Sequence, residues 1–254
     1  MSEYIEVVGA AGNTLINDSF RCYHLVGKFT KTRADLYTPA KMAFDINDLV
    51  YAFDITVSSI SQPIIASADC SIFQCSYTKL SGSTWKIVIY VSRVANWPDV
   101  TKPIPASFSF NFYVYGLQEE YVKVKNKPVV EVFNAEGKLV YSSELKYLKI
   151  IKSFNEYMPD VEPNFFSYYD QKAYSIPIPN YDPLKKYAVI PAATAHIYQW
   201  FDGGGLRQNN MSSFKIKGSD VVVNMYPTGF GYLQDFMDAY IPTLAVLIID
   251  VTDI

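Results

Sequence analysis

The side chains able to do acid–base, nucleophilic or metal chemistry are few and poorly grouped. The chain carries two histidines, His24 and His196, and three cysteines, Cys22, Cys70 and Cys75. Neither histidine has a carboxylate or thiol at a metal-ligand spacing, and no two cysteines form a C-x-x-C pair, so a zinc site or disulfide framework is not expected. Gly203, Gly204 and Gly205 would suit a phosphate cradle, but no lysine or helix start follows them, and a hairpin tip is the better reading. Asp45, Asn47 and Asp48 resemble the opening of a calcium loop whose central glycine and closing glutamate are missing. Glu119 and Glu120 are adjacent and would diverge on a strand, which argues against a paired-carboxylate site. No G-x-S-x-G elbow surrounds any serine. The expectation is a chain without catalytic residues, metal or cofactor.

Composition narrows the class. Of 254 residues half are hydrophobic and 19% charged, which suits a globular protein with a sizeable core. A net charge of -3 lacks the cationic surplus that binding nucleic acid demands. The longest apolar runs, such as 245–249, fall far short of the roughly 20 residues that span a bilayer, and the first residues show no leader pattern, so a soluble chain without a membrane span is expected. Twenty-one tyrosines, sixteen phenylalanines and three tryptophans favour β-structure and contact surfaces.

Internal similarity sets the expected architecture. Residues 5–29 align without gaps on residues 130–154, with identities at Glu6/Glu131, Val7/Val132, Ala10/Ala135, Gly12/Gly137 and Phe29/Phe154. Residues 76–90 align on residues 212–226, with Ser76/Ser212, Lys79/Lys215, Gly82/Gly218, Ser83/Ser219 and Tyr90/Tyr226 identical. Ile104-Pro105 matches Ile241-Pro242 in the same order. The expected fold is all-β: two tandem diverged copies of a β-sandwich-like domain, residues 1–121 and 128–254, joined by a charged linker at 122–127. That linker, with Lys123, Lys125 and Lys127, also reads as an edge strand blunted by lysines. The offset between the copies grows by eleven, which places an insertion of the second copy within residues 155–186.

Local patterns agree with β-structure. Phe108, Phe110, Phe112 and Val114 alternate with polar or tyrosyl residues, the mark of a strand with one buried face. Residues 244–251 are almost continuously apolar, as in a strand covered on both faces. Gly82 and Gly218 mark hairpin turns, as do Gly12 and Gly137. The best short helix candidate is 232–240. Three segments of the second copy, 155–169, 202–210 and 227–232, read as loops able to touch a partner. Their aromatics supply the expected partner-binding residues, Tyr168, Tyr169, Phe230 and Tyr232, together with Trp200; Trp97 belongs to the same aromatic set. Each admits the plainer reading of core or loop packing.

The stretch from Val130 to Ser143, with Asn134 and Gly137 at its turn, resembles the opening of small tail-tip and central-fibre proteins of long-tailed (siphovirus) bacteriophages; Gly9 stands where that pattern has asparagine. The resemblance implies a structural protein of the virion tail, made in the host cytoplasm and present in several copies. It would dock on other tail proteins without catalysis. A module that binds the host surface, through glycan or an outer-membrane protein, is the second reading.

Overall fold

The structure is a computed structural model that describes residues 7–8, 14–16, 23–38, 50–97, 102–118, 130–133, 139–143, 145–157, 174–193, 196–200, 206–232 and 243–254. The connector 122–127, the centres of the turns at Gly12 and Gly137 and the helix candidate beyond Tyr232 lie outside these. In the first half the strands are β1 (Val7–Val8), β2 (Thr14–Ile16), β3 (His24–Thr32), β4 (Val50–Val57), β5 (Ile60–Ser67), β6 (Ile72–Ser81), β7 (Thr84–Ser92) and β8 (Ser109–Gln118). In the second they are β9 (Glu131–Phe133), β10 (Leu139–Ser142), β11 (Lys149–Tyr157), β12 (Tyr174–Pro177), β13 (Tyr187–Ala193), β14 (His196–Trp200), β15 (Leu206–Lys217), β16 (Asp220–Tyr232) and β17 (Thr243–Asp250). A single helical turn, α1 (Arg93–Asn96), follows β7.

The halves do not form two separate sandwiches. Their strands join into two shared sheets, one ordered β11-β17-β13-β5-β8-β3 and the other β12-β16-β15-β6-β7-β4, while β1-β2 and β9-β10 stand as hairpins. Counting only the six strands that each half gives to these two orders, so without β1, β2, β9, β10 and β14, both halves read outward from the centre as third, sixth and first in one sheet and fourth, fifth and second in the other. The seams are narrow. Val189 pairs with Ser67 across the first and Phe214 with Ile72 across the second. The physical reason for joining is plain: β5 and β6 would otherwise each end a sheet with an unpaired row of N–H and C=O groups beside a hydrophobic core.

Each half fills its sandwich from both sheets. Phe53, Ile55, Ile87 and Ile89 of one sheet meet Ile65, Phe112 and Val114 of the other, with Trp97 among them. The Trp97 ring lies 4.8 Å from Phe108 and 5.6 Å from Phe110, so this tryptophan is a core residue. Phe154, Ile176, Val189, Phe214, Val221 and Val246 form the matching core of the second half. At the seam the buried Ser71 hydroxyl donates to Ser213 Oγ at 2.9 Å. The Asn96 side chain of α1 clamps the link between β5 and β6, accepting from Ser71 N–H at 2.8 Å and donating to Ser71 O at 3.1 Å.

β8 departs from the expectation of one buried face. Phe110, Phe112 and Val114 face the core as the alternation requires, but Tyr113 and Tyr115 on the other face are buried too. They join Ala66, Ala188, Ile190, Ile249 and Val251 in a cluster on the outer face of the six-stranded sheet. Tyr23 and Leu25 from the first half and Leu148 from the second pack against it. Residues 146–148 run antiparallel along the free edge at the start of β3, Leu25 N–H donating to Lys146 O at 2.7 Å and Leu148 N–H to Tyr23 O at 2.9 Å. β17 is accordingly apolar on both faces, with Leu244, Val246, Ile248 and Ile249 fully buried, as its unbroken hydrophobic run predicts.

The two hairpin turns read from glycine form as predicted. β6 and β7 turn through Gly82-Ser83, β15 and β16 through Gly218-Ser219, and the glycines adopt φ of 48° and 59°, the left-handed region that a two-residue hairpin needs. By element, the second half is longer in two links: 178–186 against 58–59, inside the stretch that the sequence offset suggests, and 194–205 against 68–71, outside it. The stretches 33–59 and 158–186 are close in length, whereas 68–71 is answered by 194–205, which holds β14.

Tyr115 carries a fully buried hydroxyl with no hydrogen-bond partner among the described residues. An unsatisfied buried polar group costs about 1–3 kcal/mol, so Tyr115→Phe is expected to raise the unfolding free energy by about 1 kcal/mol in urea titration. A loss of stability would mean that the hydroxyl is paired in solution.

Candidate functional site

The strands β14, β15 and β16 form a ribbon longer than the sheet that carries it. β15 and β16 pair from Lys217↔Asp220 to Leu206↔Tyr232, and β14 adds to β15 from His196↔Met211 to Trp200↔Arg207. β12 accompanies β16 only over residues 220–223, and β6 meets β15 only at Phe214. Beyond those points the ribbon continues for the rest of its length with no further described neighbour in the sheet. A register shift between Asn209 and Asn210 sets Asn210 opposite Pro227 and Asn209 opposite Gly229. Proline has no N–H to give a ladder, and a bulge is one of the few strand positions that tolerates it.

This ribbon gathers three of the five expected partner-binding residues. Trp200 stands opposite Arg207, which stands opposite Gly231; one rung away Phe230 faces Gln208, and Tyr232 faces Leu206. At about 4.8 Å between neighbouring strands, the Trp200 backbone is about 10 Å from that of Gly231. Tyr168 and Tyr169 lie outside the described residues. Two expected loops are corrected: residues 206–210 and 227–232 are the distal ends of β15 and β16. Asn, Gln and Gly are poor strand formers, and it is the ladder on either side of β15 that makes these residues strand.

Elsewhere among the described residues, several titratable groups are paired or buried. Lys86 Nζ lies 2.6 Å from Asp54 Oδ2 and the Tyr37 hydroxyl donates to Asp54 Oδ1 at 2.6 Å. Burial raises the Asp54 carboxyl, but the bonds from Lys86 and Tyr37 outweigh it and hold the group below its ordinary value. Burial, with the bond to Asp54, pushes the Tyr37 phenol up. Burial pushes the Cys70 thiol well above its usual range and the Cys75 thiol up to about 12, so both are thiols and not nucleophilic thiolates at neutral pH. No group of three His, Cys, Asp or Glu able to hold a metal occurs among the described residues, nor any helix long and apolar enough to cross a membrane. His196 stands in β14 opposite Met211. A scan against protein-family models and searches of curated proteins and of solved structures find no match to this chain.

His24 opens β3 where the two halves cross, opposite Gly116 on one side and Tyr147 on the other, and it is buried. Burial lowers its pKa below the ordinary 6.5. The unfolded chain therefore takes up a proton at a higher pH than the folded one. Stability contributed by neutral His24 is complete above about pH 6.5 and is lost as pH falls through that value. Urea unfolding at pH 7.5 and pH 5 should show a larger loss for the parent protein than for His24→Gln. Equal losses would contradict a buried neutral imidazole.

Proposed function

We propose that the chain is a non-catalytic structural protein that docks on other proteins of a bacteriophage tail, at its tip or fibre, in several copies. Its halves are read as diverged copies of one six-stranded unit. Four features support the duplication: the aligned sequence windows, the common strand order, the paired Gly-Ser turns, and a register shift at the same place in the first strand of each unit. That shift falls between Leu25 and Gly27 in β3 and between Ile150 and Lys152 in β11, matched positions of the first window.

The observation that carries the docking reading is the ribbon of β14, β15 and β16. The second half has β14 where the first has only the link 68–71, so a feature that distinguishes the halves also sets Trp200 one rung from Phe230 and Tyr232, in the row of Gly231 and so on the other face of the ribbon from those two. Additions to a maintained scaffold are where partners are acquired. The assignment to a phage tail follows from the resemblance of residues 130–143.

Burying one large aromatic at an interface contributes on the order of 2 kcal/mol, a factor of about 30 in affinity. Phe230→Ala with Tyr232→Ala is therefore expected to cut incorporation into tail particles at least tenfold while the melting temperature stays within a few degrees of the parent. A lowered melting temperature with normal incorporation of the folded fraction would contradict the docking surface. Normal incorporation with failed adsorption to cells would move the ribbon to host binding.

A further inference from the structure

The link between β12 and β13, residues 178–186, is an ordered loop where its counterpart between β4 and β5 is only residues 58–59. Its backbone is tied down along its length. Ile178 N–H donates to Ser219 O at 2.9 Å, and Asp182 N–H donates to the Tyr187 hydroxyl at 3.0 Å. The Asp182 carboxylate accepts from Leu184 N–H at 2.9 Å and its carbonyl from Lys185 N–H at 3.0 Å. Lys186 N–H donates to Thr252 Oγ1 at 3.0 Å and its carbonyl accepts from Val251 N–H at 2.8 Å. The Tyr181 ring rests 5.6 Å from that of Tyr187.

The tip of this well-fixed loop is apolar. Leu184 is 87% exposed and Tyr181 38%, with the exposed Pro183 between them. A lone exposed leucine is ordinary on a protein surface. What sets Leu184 apart is the hydrogen-bonded frame that holds it out, because a fixed loop loses little conformational freedom when a partner closes on it. The surrounding charge indicates which partner. Lys185 and Lys186 follow the tip, and Lys149, 3.1 Å from the Asp253 carboxylate, stands with Lys146 at the same corner. Of the nearby anions Asp250 has only a tenth of its side chain exposed and is paired with Lys185, the exposed Asp253 is paired with Lys149, and the Asp182 carboxylate is bonded to the Leu184 N–H. Among the described residues the four lysines Lys146, Lys149, Lys185 and Lys186 face these three carboxylates, which leaves the corner net positive.

We propose that residues 181–186 form a docking knob that seats Leu184 in an apolar pocket of another protein chain whose rim carries aspartate and glutamate. This rests on the docking reading above and adds a second contact with its own chemistry, apolar at the centre and basic at the edge.

The test uses the full chain in the assemblies isolated from producing cells, with the photo-reactive residue p-benzoylphenylalanine at position 181 and, in a separate control, at position 217. The expected result is cross-linking from 181 to a different polypeptide, at apolar residues bordered by Asp or Glu. The yield should fall at least fivefold with Leu184→Asp or Lys186→Glu at unchanged melting temperature. Cross-links only to another copy of this chain, equal yields from both positions, or yields indifferent to the two substitutions would overturn the proposal. An absent cross-link, while Phe230→Ala with Tyr232→Ala still blocks incorporation, removes the knob and leaves the docking reading intact.

Discussion

The inner edges of β5 and β6 are the constraint on which the rest of the molecule depends. Each has a partner strand on one side, β8 and β7, and on the other side would offer unpaired backbone groups next to buried Ile65 and Ile72. β13 and β15 supply the missing neighbours, at Val189↔Ser67 and Phe214↔Ile72. Once those two seams close, the order of the remaining strands in both sheets is set by pairings within each half, most of them between strands distant in sequence, such as β5 with β8, β3 with β8 and β4 with β7. The seams are short and are reinforced by contacts beside them: the Ser71 to Ser213 hydroxyl bond and the Asn96 clamp on the link between β5 and β6.

The outer face of the six-stranded sheet makes the union harder to undo. Ala66, Tyr113 and Tyr115 come from the first half and Ala188, Ile190, Ile249 and Val251 from the second, so separating the halves would expose a cluster that belongs to both. With each large member worth roughly 1.5–3 kcal/mol of burial, that cost is comparable to the whole stability of an ordinary domain. The pairing of 146–148 with the start of β3 brings Tyr23, Leu25 and Leu148 against this cluster, in which Tyr115 is buried as deeply as Phe112 although they lie on opposite faces of β8. A body held together this way presents the β14–β16 ribbon and the 178–186 loop from a fixed frame.

Much of this is legible in the residues and some is not, for physical reasons. Gly82 and Gly218 announce their turns because a two-residue hairpin requires positive φ there. Phe110, Phe112 and Val114 announce the inner face of β8 because strand geometry alternates side chains. The burial of Tyr113 and Tyr115 is not legible, since segments lying against them come from residues far away in the chain. Residues 206–210 and 227–232 read as loops because Asn, Gln and Gly prefer turns, and only the ladder with β14 and between β15 and β16 makes them strand. The shared sheets are equally invisible, because a repeat in sequence states that two units are alike and not how their edges meet. Of the expected partner-binding residues, Trp200 stands beside the strand pair that carries Phe230 and Tyr232, a relation that depends on the pairing of β14 with β15, which no local pattern announces. The order of the 178–186 loop depends on Ser219, Val251 and Thr252, all remote in sequence.

The measurement that bears most directly on the union of the halves is differential scanning calorimetry of the full chain beside Phe53→Ala, a substitution confined to the core of the first half. Removing this fully buried ring costs about 3–5 kcal/mol. If the seams and the outer-face cluster make one cooperative body, both proteins melt in a single transition whose calorimetric and van't Hoff enthalpies agree, and the whole transition moves down in the variant. Two transitions, of which only one shifts with Phe53→Ala, would contradict the account.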